Sequence, residues 1–77
     1  MYEYVGGVKV TVYEIRVKGH LGWRWSEWFE GLEITNLENG DALLWGEIAD
    51  QAALHGVLAK VRDLGLPLVA VRGVGPD

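Results

Sequence analysis

The stretch LEITNLENGDALLWGEIAD, residues 32–50, decides the fold. Asn39-Gly40 is the strongest short hairpin signal a sequence can carry, because both central residues of a type I′ turn need φ > 0. Leu32 to Leu37 and Asp41 to Glu47 flank it as β-like runs. Successive strand residues point to opposite faces, so Leu44 and Trp45 part company; Ile34 and Leu43 are expected to join Trp45, and Leu37 to join Leu44. Both faces of the hairpin are then apolar. One can pack on helices, and the other needs a partner or a ligand.

Downstream of the hairpin, Asp50 is a good N-cap, its carboxylate able to accept from first-turn N–H groups and to favour the positive end of the helix dipole. Leu54, Val57, Leu58, Val61 and Leu64 follow at core spacing, and Gly65 with Pro67 supplies the stop, which predicts a long helix over about 51–64. Leu66 to Val74 reads as a last strand, with Pro67 near its start, where a missing N–H matters least. Leu68 and Ala70 are expected on one face, Val69 and Val71 on the other, so this strand too is apolar on both sides. A half-exposed antiparallel sheet normally alternates apolar with polar.

Upstream, residues 8–18 read as one long strand whose apolar phase flips between Val12 and Tyr13, which calls for a bulge or sharp twist there. Gly6-Gly7 reads as a flexible lead-in within residues 1–7. Trp25, Trp28, Phe29 and Leu32 fall at i, i+3, i+4 and i+7, which predicts a short helix of roughly two turns that buries them and ends at Gly31. Ser26 stands where an N-cap would. The order is β-α-β-β-α-β, so the expected fold class is α+β: a split βαβ (ferredoxin-like) antiparallel sheet with both helices on one face. A smaller sheet with residues 23–30 as an irregular loop is the alternative.

The segments Tyr13-Glu14-Ile15-Arg16-Val17-Lys18-Gly19-His20-Leu21, Trp25-Ser26-Glu27-Trp28-Phe29, Asp50-Gln51-Ala52-Ala53-Leu54-His55-Gly56 and Arg62-Asp63-Leu64-Gly65-Leu66-Pro67-Leu68 resemble a group of small uncharacterised bacterial proteins, over about residues 13–74. The resemblance implies no activity. The chain departs from it at Trp23, Trp45 and Gly73, where polar residues are expected, and in its first dozen residues, which read as an added extension. These departures allow an engineered chain.

The chemistry-bearing residues are few. A nucleophile needs a base in reach and a group to orient that base. The chain offers one Ser, two Thr and two His, with no G-x-S-x-G, P-loop or G-x-G-x-x-G pattern. His20 and His55 lack the spacing of a metal pair, and no Cys is present to complete one. A remaining proton-transfer candidate is Glu47, Asp50 and His55, if the fold brings them together. No catalytic residue, metal or cofactor is assigned, and the chain is expected not to be an enzyme.

Composition sets the scale. With 77 residues, 49% of them hydrophobic and 23% charged, the chain is one folded domain. A chain this short buries only about 60% of its surface, and the gain roughly balances the cost of ordering it. Without Cys no disulfide can help, so association with a second copy is the common remedy. Neither a signal-like start nor a long apolar run is seen, which points to a cytoplasmic protein without a membrane partner. The charge is segregated: +2 over residues 1–24, −7 over 25–59 and +1 over 60–77. Opposite halves meeting between subunits is the sharper reading of that split. The net charge of −4 and the scattered cations disfavour nucleic acid.

Four Trp stand where average usage gives about one. Trp25 and Trp28 are expected in the core, Trp23 and Trp45 outside it. Trp45, Trp23, Ile34 and Leu43 are therefore the candidate interface residues. The expected function is a homo-oligomeric interaction module that associates through the open sheet face. The alternative is a small-ligand-sensing domain holding an apolar ligand near Trp23 or Trp45.

Overall fold

In the computed structural model, which describes residues 4–5, 8–9 and 11–74, the elements run β1 (Tyr4–Val5), β2 (Val8–Lys9), β3 (Thr11–Lys18), α1 (Trp25–Trp28), β4 (Glu33–Asn36), β5 (Asp41–Ile48), α2 (Gln51–Asp63) and β6 (Leu68–Val74). β1 and β2 pair with each other alone. The other four strands form one antiparallel sheet in the order β4-β5-β3-β6. The chain is thus α+β, with a four-stranded antiparallel sheet and two helices.

The hairpin forms where its turn residues ask for it, but with a different turn. Gly40 has φ +96°, whereas Glu30 is the only non-glycine at positive φ among the described residues, so Asn39 does not take the type I′ conformation. Instead Gly40 N–H donates to Leu37 O at 3.2 Å and Leu37 N–H to Asp41 O at 2.8 Å. That is the three-residue hairpin loop in which a glycine past the turn absorbs the left-handed step. Asn39 contributes through its side chain, whose Oδ1 accepts from Asp41 N–H at 3.0 Å.

The single long strand over residues 8–18 is replaced by two elements. Val8–Lys9 belongs to the β1–β2 ladder, while β3 starts at Thr11 and runs in unbroken register against β5 from Thr11↔Ile48 to Lys18↔Asp41. No phase flip occurs at Val12–Tyr13: Thr11, Tyr13, Ile15 and Val17 share the core side, and Val12 goes with Glu14 and Arg16. Gly6 and Gly7, the expected flexible lead-in, lie outside the described residues.

The irregularity sits instead between β3 and β6, where the register slips at Arg16/Val17. Leu68 is opposite Val17 and Ala70 opposite Arg16, so the extra residue places them against opposite faces of β3 and overturns the expected pairing of Leu68 with Ala70. β6 is an edge strand, and all seven of its residues are exposed.

The core is one cluster. Ile15, Val17, Ala42, Leu44 and Ile48 line one side of the sheet, and Leu54, Val57 and Val61 of α2 close over them. Asp50 caps α2 as expected, its Oδ1 accepting from Ala53 N–H at 2.8 Å, and Gly65 at φ +75° ends the turn beyond it.

The aromatic segment departs most from expectation. α1 is a single turn, ended by two consecutive residues at positive φ, Glu30 and Gly31. Phe29 and Leu32 are buried, but Trp25 and Trp28 stay about 40% exposed, packed edge to face on each other with centroids 6.3 Å apart. Turning the chain after one turn is what lets Phe29 and Leu32 reach the sheet; a second helical turn would carry them along the stripe of the two Trp. Ser26 is not the N-cap, a position held by Arg24 without a side-chain bond; its hydroxyl donates to Leu32 O at 2.7 Å and ties the two ends of this segment.

Leu32 lies directly over Gly46 of β5. A Cβ added at Gly46 would stand 2.8 Å from Leu32 Cδ2. Gly46→Ala is therefore expected to lose about 1–3 kcal/mol, the usual range for overpacking a filled core, read as a lower urea midpoint with an unchanged slope. An unchanged midpoint would mean that Leu32 has room to turn aside.

Candidate helix-free sheet face

The register places a second set of side chains on the side of the sheet away from α2. Four cross-strand rows follow from the pairing: Glu47 and Val12 beside Val74; Glu33, Trp45, Glu14 and Arg72; Thr35, Leu43, Arg16 and Ala70; then Asp41 and Lys18. Among the described residues none of these is fully buried.

Trp45 stands out on this face, 40% exposed, its indole N–H directed to Thr35 Oγ1 at 3.3 Å so that the ring leans from β5 toward β4. Leu43, half-buried, joins it as expected. Ile34 does not. It pairs with Leu44 and packs on the core, because the antiparallel register sets Ile34 level with the inward-pointing residue and Thr35 level with Leu43. Trp23 is not in the sheet at all: it is 77% exposed in the connection leading into α1, with the Arg24 guanidinium 5.5 Å from its ring centre. The four expected interface residues thus divide into two on the open face, one in the core and one on a separate loop.

Sequence reasoning passed over the polar half of the face. Glu14 and Arg72, distant in sequence, form an ion pair across β3 and β6, Oε1 to Nη2 at 2.8 Å. Together with Arg16, Leu43 and Ala70 they line a shallow depression of about 290 Å³. The alternation of Glu14, Arg16 and Lys18 was the available signal. The strands carry charge asymmetrically: β4 and β5 present Glu33, Asp41 and Glu47, while β3 and β6 present Arg16, Lys18 and Arg72 with Glu14.

Other candidate groups stay apart. Glu47 is on the helix-free face, whereas His55 is exposed on α2 across the sheet and Asp50 is engaged as its N-cap, so the proton-transfer trio is not assembled. His20 Nε2 lies 2.7 Å from Leu37 O, tying the end of β3 to the hairpin. No group of three or more His, Asp or Glu able to hold a metal occurs among the described residues. No helix among them is long and apolar enough to cross a membrane. A second concavity is lined by Trp23, Arg24, Ser26 and Glu27.

The connection carrying Trp23 is held by Asn36, whose side chain accepts from Leu21 N–H and donates to Leu21 O, both at 2.9 Å. Asn36→Ala strands both backbone groups and is expected to cost about 2 kcal/mol, with earlier amide exchange at Leu21 than in the wild type. Equal protection at Leu21 in the two proteins would refute that role.

No curated protein and no solved structure matches the chain. The family model described as Domain of unknown function (DUF8691) matches residues 12–72. That span runs from the second residue of β3 to Arg72 of β6 and takes in β4, β5, both helices and all of the face just described except Val74, so the chain belongs to the DUF8691 family.

Proposed function

We propose that the chain is a non-enzymatic module that associates with copies of itself through the helix-free face of its sheet. Trp45 carries the reading. A half-exposed indole at mid-sheet, beside Leu43 and on the side opposite the core, is apolar area that a lone subunit leaves in water. Burial of such a ring contributes more than any other single side chain could on this surface. Homodimer interfaces are the more apolar class of protein interface, and a 77-residue chain without disulfides gains most from them. The adjacency of β3 and β6, with the β4–β5 hairpin on the other side of β3, supports a split βαβ (ferredoxin-like) sheet as the frame. In this chain one of the two helices of that frame is reduced to a turn. Light scattering across a concentration series tests the association: mass is expected to rise toward that of a dimer, and a folded chain of constant monomer mass sinks the proposal.

A small-ligand reading attaches to the other concavity. Trp23, unburied and flanked by Arg24 and Glu27, offers a ring face with a cation and a carboxylate beside it, suited to a flat or apolar small molecule. Quenching of Trp emission that Trp23→Ala abolishes would support it. Emission and melting temperature unmoved across a metabolite panel would end it.

A further inference from the structure

The charge split and the depression on the helix-free face specify how a second copy docks, an inference that rests on the self-association just proposed. We infer that the two-fold axis runs parallel to the strands, between β5 and β3, so that Trp45 of each copy enters the depression of the other. A rotation about such an axis keeps each cross-strand row at its own level and reverses the order of the strands. β5 of the second copy then lies over β3 of the first, and β4 over β6.

Three consequences follow from the registers. The ring of Trp45 leans toward Thr35, so its image leans into the space between β3 and β6, at the level of Glu14, Arg16, Ala70 and Arg72. These are four of the five residues that line the depression. Its volume of about 290 Å³ is ample for an indole, given that a cavity of about 150 Å³ already admits benzene. The Arg16 and Arg72 guanidinium groups flank the ring, a placement that favours the face of an indole.

The charges agree with the shape. Glu33 of one copy meets Arg72 of the other, and Asp41 meets Lys18, each contact occurring twice by symmetry. The competing two-fold axis, running across the strands at the middle of the rows, would stack β4 and β5 on themselves and set Glu47 of each copy against Asp41 of the other. Like charges brought together disfavour a wrong docking mode by several kcal/mol. Two strands of eight residues, one of seven and one of four give a footprint of about 450 Å² per copy in projection, from strand spacing and rise. That is the small end of specific interfaces, so the dimer is one that dilution and salt dissociate.

Complementary charge reversal tests the orientation. Glu33→Lys alone sets Lys against Arg72 twice per dimer, and Arg72→Glu alone sets Glu against Glu33 twice. Each is expected to weaken dimerisation about tenfold or more, while an equimolar mixture regains affinity within about threefold of wild type, since the mixed dimer carries only opposite-charge contacts. Far-UV circular dichroism confirms that each variant is folded, and Arg72→Gln replaces Arg72→Glu should repulsion from Glu14 unfold it, with weakening alone then expected. Dimers indifferent to both substitutions, or Glu33→Lys and Arg72→Glu proteins that weaken without rescue on mixing, overturn this orientation and leave self-association standing. A wild type that is monomeric throughout overturns the self-association and the orientation with it.

Discussion

Phe29→Ala is expected to cost about 3–5 kcal/mol and to leave much of the protein unfolded at physiological temperature. Among the described residues Phe29 is the bulkiest of the side chains with no exposed surface, and it enters the core from a segment whose only helix is one turn long. Truncation removes the transfer free energy of the ring and leaves a void that the rigid sheet beneath, with Ile15 and Leu44 also fully buried, cannot close. A chain of 77 residues has a total stability of roughly 4–12 kcal/mol, so the loss is a large share of it. Trp25→Ala provides the contrast. Trp25 is about 40% exposed and meets Trp28 edge to face, so about 1–2 kcal/mol is expected. Urea unfolding of both variants decides the matter, and a Trp25 variant as unstable as the Phe29 variant would contradict the described packing of this segment.

Trp45→Lys is expected to abolish assembly while leaving the subunit folded. The substitution removes an aromatic whose loss from a desolvated interface costs about 2 kcal/mol or more, and it would bury an unpaired ammonium there. The proposed dimer contains two such sites, one from each copy, so the effect is doubled. The core on the other side of the sheet is untouched, because Leu44 and not Trp45 points into it. Far-UV circular dichroism should therefore match wild type, with a lower melting temperature at high protein concentration, where wild type gains from association. A variant that is unfolded at every concentration would place Trp45 in the subunit's own core, and one that assembles normally would move the interface elsewhere.

Local chemistry explains what the sequence disclosed. Asp50, Leu54, Val57, Val61 and Gly65 define α2 because a cap, a 3.6-residue stripe and a left-handed stop are all local signals. Asn39-Gly40 located the hairpin for the same reason. The turn type escaped, since one glycine at the last loop position suffices for the loop observed and Asn39 is then free of the left-handed requirement. The stripe Trp25, Trp28, Phe29 and Leu32 misled, because spacing alone cannot distinguish a two-turn helix from one turn followed by a reversal at Glu30 and Gly31.

Tertiary register was the less legible part. Ile34 was assigned to the face of Trp45, and only the pairing of Ile34 with Leu44 corrects it. A shift of one residue in a strand exchanges every side chain between faces. The slip at Arg16/Val17 did the same to Leu68 and Ala70. The depression beside Trp45 joins Glu14 and Arg16 to Ala70 and Arg72, and no local pattern announces a contact between strands that far apart in the chain.

Sedimentation equilibrium on wild type, Trp45→Lys and Trp23→Lys at low salt decides whether the chain associates through the face that bears Trp45. A monomer–dimer equilibrium in the micromolar range is expected for wild type and for Trp23→Lys, whose substituted residue lies outside the sheet, and a monomer for Trp45→Lys. A folded wild type that remains monomeric over the whole range, or a Trp45→Lys protein that dimerises as wild type does, would contradict association through that face.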